Sequence, residues 1–97
     1  MTPILQYSNN PLFHRYTHLI YLHRKSKKKK FGLLIDYTDN LIVEHVIPES
    51  LSDHAGIIPH DIIISIDKIP IHDITKDQAI QHIQAKNHVL LTIHRYN

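Results

Sequence analysis

The side chains that could do chemistry are few and poorly grouped. Ten histidines (His14, His18, His23, His45, His54, His60, His72, His82, His88 and His94) are spread along the chain. Imidazoles bind metals and titrate near neutral pH, but no His-Glu-x-x-His or comparable ligand spacing occurs here. His18 and His23 are an odd number of residues apart, so a strand would put them on opposite faces. Ser50, Ser52 and His54 stand close together. Neither serine lies in a Gly-x-Ser-x-Gly elbow, and no glycine-rich phosphate loop exists. Their grouping reads as a helix-capping segment. The chain has no cysteine, which excludes a thiol nucleophile, a thiolate metal site and a disulfide framework. The expectation is a protein without catalysis, cofactor or metal.

Charge is the more informative chemistry. Arg24, Lys25, Lys27, Lys28, Lys29 and Lys30 are six of the eleven basic residues. The remainder has five basic and nine acidic side chains, a net −4. One basic cluster therefore sits on a mildly acidic body, whereas a nucleic-acid-binding surface spreads its basic residues over a face. Few aromatics interleave with the run, so base stacking has no support, and no nucleic-acid partner is expected. Three readings stay open: a solvated loop, a nuclear-import or nucleic-acid patch, or electrostatic help for an anionic peptide or acidic inner-leaflet lipid. Near such a lipid surface each basic residue is worth about 1 kcal/mol.

The elements that must position these residues follow from pattern. Ninety-seven residues, 42% hydrophobic and 21% charged, allow one small globular domain. No run of eighteen apolar residues could span a membrane, and the N-terminal segment lacks the order of a secretory signal. Together with the missing cysteines this suggests a cytoplasmic protein. Residues 1–15 read as a flexible tail broken by Asn9, Asn10 and Pro11, and 16–96 as the domain. Thr17–Arg24 reads as a strand, followed by the basic loop. Leu33–Asp36 and Leu41–Ile47 read as strands joined by a turn at Thr38-Asp39-Asn40. Ser50 caps a short helix that Gly56 ends in the left-handed region. Asp61–Asp67 is a buried strand, and Ile69–Ile71 a short edge strand that tolerates Pro70. Thr75 and Gln78 form a capping box for a helix reaching Gln84 or Ala85. His88–Arg95 is the last strand. The order is β-β-β-α-β-β-α-β, an α+β, antiparallel-rich pattern.

Four segments resemble a PDZ domain of the animal scaffold type, over about Thr17 to Arg95. Phe31-Gly32-Leu33 resembles the end of that family's Gly-Leu-Gly-Phe loop. The stretch Ile47 to Ile57 resembles its run from a strand through Pro and Ser to a short helix and Ala-Gly-Leu. Asp61 to Asp67 resembles the Gly-Asp-x-Ile-x-x-Ile-Asn-Gly strand, and Thr75 to Ile83 the helix that flanks the ligand. The resemblance implies a small, partly open antiparallel β-barrel or sandwich of five to six strands capped by two helices. Three positions depart from it. Lys30 stands for the loop's first glycine, His60 for the glycine of Gly-Asp, and Asp67-Lys68 for Asn-Gly. Each needs a backbone that a non-glycine residue tolerates, which His and Asp do better than most.

What the resemblance implies about function is a module that binds the free C-terminal peptide of a partner by strand addition. Lys30 and the amides of Phe31, Gly32 and Leu33 would hold the carboxylate, as successive turned amides do. Leu34, Ile35, Asp36, Lys76, Ile80 and Ile83 would form the groove and pocket, so a terminal aliphatic or aromatic residue is expected. Lys76 stands where many family members have a histidine. An ammonium only donates, which favours Asp or Glu at the ligand's third-from-last position. Arg24, Lys25, Lys27, Lys28 and Lys29 would add attraction for an anionic surface. Two alternatives remain: a degenerate PDZ whose basic loop 24–30 binds acidic phospholipid at the inner membrane surface, or a regulatory PDZ piece of a larger enzyme. Protease-type relatives are usually circularly permuted, and this chain keeps the scaffold order.

Overall fold

A computed structural model of the chain describes residues 15–38 and 40–96. The segment read as a tail lies outside the described residues apart from Arg15, and so does Asp39 of the expected turn. The strands are β1 (Arg15–His23), β2 (Leu33–Asp36), β3 (Leu41–Val46), β4 (Ile62–Ile66), β5 (Ile69–Pro70) and β6 (His88–Tyr96). Helix α1 (Leu51–His54) follows β3, and α2 (Lys76–Ala85) precedes β6. Among the described residues the element order is the expected one, with a 3-10 turn at Ile71–Asp73 added after β5.

All strand pairs are antiparallel, in the order β1-β6-β4-β3-β2, with β5 on β4. The sheet does not close into a barrel, because β1 and β2 are its two ends. Among the described residues the outer edge of β2 has no strand partner. Two irregularities let the core residues face inward. Val43 and Val46 are three apart, so strict alternation would turn one of them outward. The register slips between Leu34 and Ile35, leaving Glu44 unpaired, so both valines pack on the core face. Ile63 and Ile66 pose the same problem, and a slip at Ile64 resolves it. The core gathers Ile20 and Leu22 of β1, Ile63 and Ile66 of β4, Val89, Leu91 and Ile93 of β6, and Ala79 and Ile83 of α2.

Both helices start as their sequences specify. The Ser50 hydroxyl accepts from the Asp53 amide. The Thr75–Gln78 capping box is complete in both directions. Gly56 adopts φ +92° just past α1. Two of the three non-glycine departures also take left-handed backbone, whereas Lys30 does not. His60 has φ 79°, and Asp67 and Lys68 have φ 51° and 71°. The last two form the two-residue connection between paired Ile66 and Ile69, where positive φ at both positions matches the twist of a hairpin.

Asp67 offsets that strain with its side chain. Its Oδ1 accepts from the Leu90 amide at 2.9 Å, and its Oδ2 meets His82 Nδ1 and Lys86 Nζ, each at 3.3 Å. One carboxylate thus ties the C-terminal half of α2 to β6. Burial pushes this carboxyl up, but the Leu90 amide, His82 and Lys86 together hold it below its ordinary 3.8. A depressed folded value means that the contribution is complete above the unfolded pKa and is lost as pH falls through the folded one. Asp67→Asn is expected to cost about 1–2 kcal/mol at pH 7. Urea unfolding should show the gap from the parent protein narrowing at pH 3. An equal gap at both pH values would contradict this role.

Candidate functional site

Phe31 and Gly32 are buried where the basic loop meets β2. Their carbonyls are committed: Phe31 O accepts from the Ser52 amide at 3.0 Å and Gly32 O from the Ile47 amide at 2.9 Å. Their own amides have no acceptor among the described residues. Gly32 has φ +81°, and a Cβ added to it would stand 2.2 Å from the Ser50 Cβ. The loop therefore turns tightly against the start of α1 and directs its carbonyls inward. Two successive amides left without acceptors in such a turn can hold an anion.

The same geometry continues along β2. The Gly32–Ile47 bond makes the next pair, Leu33 and Val46, a non-hydrogen-bonded one, so the polar groups of Leu33 point out of the sheet. After the bulge, Val43 spends both its amide and its carbonyl on Asp61 and His60. Ile35, opposite Val43, therefore also directs its amide and carbonyl to the free edge. This edge is a template for one more strand.

A cleft of about 520 Å³ runs beside the edge. Leu33, Ile35 and Ile83 give it apolar lining, and Phe31 and Gly32 border it too. Lys27 and Lys30 also border it, while Lys25, Lys28 and Lys29 are exposed on the same loop. Ile80 is half-buried and does not line this cleft. Lys76 lines a second cavity, about 480 Å³, at the N-terminal end of α2. It faces the electrostatic field of Asp36 at the end of β2. The Thr38 hydroxyl and amide, bonded to Asp36 Oδ1 at 2.6 and 2.9 Å, lower that carboxyl first, and Lys76 lowers it further.

Arg24 is not a surface cation. It is 6% exposed, and its guanidinium lies 4.3 Å from the centre of the Phe31 ring. Nη1 donates to Lys29 O at 3.2 Å and Nη2 to Gln84 O at 2.5 Å. Arg24 thus ties the basic loop to the last turn of α2, where a cation complements the helix dipole. This corrects its grouping with the lysines as an anionic-surface contact. The signal was available: Arg24 continues the inward-facing alternation Ile20, Leu22. Sequence reasoning also missed Tyr37 and Ile47, which border the cleft.

The histidines gather no ligand set. Among the described residues no three His, Cys, Asp or Glu side chains converge. His23 and His88 face each other across β1 and β6 with rings stacked at 4.2 Å, and the Tyr21 hydroxyl is bonded to His88 Nδ1.

A family model, PDZ domain, matches residues 19–94. The chain belongs to the PDZ family. A solved structure, the second PDZ domain of Dlg1 from the choanoflagellate Monosiga brevicollis, superposes with a TM-score of 0.69 at 19% identity. The alignment covers 84% of this chain and all of that one, and at that identity it speaks for the fold alone. No curated protein sequence matches this chain. PDZ domains are protein-interaction modules, and that coarse role holds for this one.

Proposed function

We propose that this PDZ domain captures the free C-terminal tail of a partner protein, seated as an added strand between β2 and α2. The supporting observation is the pair of Phe31 and Gly32 amides, without acceptors among the described residues, in a loop that borders the cleft lined by Leu33, Ile35 and Ile83. A carboxylate there accepts from fixed donors and loses little to reorganisation. The amides and carbonyls of Leu33 and Ile35 pair with the incoming backbone. Leu33, Ile35 and Ile83 receive a terminal Val, Leu, Ile or Phe. Lys76 favours Asp or Glu at the third-from-last position, tempered by the neighbouring Asp36 carboxylate.

A screen of free C-terminal peptides against amidated copies tests this. Amidation removes the charge and is expected to weaken binding about tenfold to a hundredfold, the worth of hydrogen bonds to a charged group. Equal binding of acid and amide overturns the reading.

A second reading is favoured by the exposed lysines Lys25 and Lys27–Lys30. They would hold the domain against acidic lipid at the cytoplasmic membrane surface. Vesicle binding that vanishes when Lys27–Lys30 become Glu, with no peptide binding, would make this the main role.

A further inference from the structure

We infer that the chain pairs with a second copy of itself along the outer edge of β1, joining two sheets into one across a two-fold axis at Leu19. The inference does not depend on tail capture, because β1 and β2 are opposite ends of the sheet.

The backbone of β1 is turned outward for such a pairing. The Arg24 amide donates to Asn87 O at 2.9 Å, which fixes the phase of the β1–β6 ladder. The bonded pairs therefore fall on the even-numbered residues of β1, and Thr17, Leu19, Tyr21 and His23 stand in non-hydrogen-bonded pairs. Leu90, opposite Tyr21, has the same phase. Its carbonyl accepts from the Asp67 amide and its amide donates to Asp67 Oδ1, both away from β1. The amides and carbonyls of Thr17, Leu19, Tyr21 and His23 thus point to an edge with no strand partner among the described residues.

Nothing blunts this edge. Its nine residues pair with β6 in unbroken register, without a bulge. They include no proline, lysine or acidic residue, the usual devices that keep edges apart. Leu19 is 71% exposed and Tyr21 58%.

Charge and symmetry select a second copy, run antiparallel. Pairing centred on Leu19 overlaps all nine residues and sets Leu19 against its twin. It also sets Tyr21 against Thr17 of the partner subunit, an aromatic side chain on a β-branched one. The two basic loops 24–30 then lie at opposite ends, roughly 30 Å apart, well beyond the screening length of about 8 Å. Parallel pairing would set them side by side. Both β2 edges stay at the outer ends of the joined sheet.

Sedimentation of the full chain tests this. The parent should move from 11.4 kDa toward twice that mass as its concentration rises from about 1 μM to about 1 mM, the affinity range of a small interface. Leu19→Lys places two like charges on the axis and acts twice by symmetry, so dissociation should rise at least about tenfold. Leu19→Pro removes an amide that β6 does not use and should give a monomer with the parent's circular dichroism. Hydrogen exchange needs no substitution: the Leu19 and Tyr21 amides of the parent should exchange more slowly at high concentration than at low. That readout decides if both variants fail to fold. A parent that stays at 11.4 kDa, a dimer that both variants leave intact, or exchange independent of concentration overturns the inference. In the first case the edge is left to residues 1–14 or to a strand of a different protein.

Discussion

Gly32→Ala is expected to abolish tail binding and to destabilise the fold by about 2–5 kcal/mol, from left-handed strain plus overpacking. Two costs add at this position. The backbone sits at φ +81°, and the new methyl would lie 2.2 Å from the Ser50 Cβ. The Cβ it meets belongs to the residue whose hydroxyl caps α1, so relief means moving either the cap or the loop. Moving the loop turns the Phe31 and Gly32 amides away from the cleft. Urea unfolding and peptide titration should therefore change together. Ser50→Gly in the Gly32→Ala background removes the overlap but not the strain, so it should recover part of the stability. A Gly32→Ala protein that binds tails normally would show that these amides are not the anion site.

Asp61→Ala is expected to cost about 3 kcal/mol, the scale for stranding one partner of a buried ion pair. Asp61 is 1% exposed. Its two oxygens accept from Arg95 Nε at 2.8 Å and Arg95 Nη2 at 2.7 Å, and Oδ2 also accepts from the Ile58 amide at 3.0 Å. Arg95 in turn donates to Gly56 O at 2.8 Å. One carboxylate therefore joins the start of β4, the end of β6 and the connector after α1. Removal leaves Arg95 Nε and the Ile58 amide without their acceptor, and the guanidinium keeps only Gly56 O. Chemical denaturation should show the loss, and Asp61→Leu with Arg95→Met should recover part of it by replacing the pair with apolar contacts. A loss under about 0.5 kcal/mol would place the pair among ordinary surface bridges.

Much of this was legible in the sequence because it is local. The capping box at Thr75 and Gln78 needs only four residues in order, and it formed as read. The ends of β2 were read to the residue, because the basic loop and Gly32 bound it on one side and a turn on the other. The open form of the sheet was less legible, since closure depends on whether β1 and β2 meet, and no local pattern states that. The bulges at Glu44 and Ile64 follow from core residues spaced an odd number apart, yet their placement is fixed by the partner strand. At the site, the chemistry of Gly32 could be read from its type, whereas Arg24 could not be read from its charge. Its burial depends on Phe31 and Gln84, 7 and 60 positions away in the chain. The family resemblance implied one groove for Lys76, Ile80 and Ile83, but neither Lys76 nor Ile80 borders the cleft that Ile83 lines.

The fastenings of α2 are unevenly distributed. Arg24 grips Gln84, and Asp67 holds His82 and Lys86, all in the final turns. At the other end, among the described residues, the helix's side-chain bonds are those of its own cap at Thr75 and Gln78. The lever is pinned beside the basic loop and least restrained at its tip. A seated tail would meet an unyielding jaw at its last residue and a more forgiving one upstream, so discrimination should be concentrated in the final residues and fade toward the body of the partner.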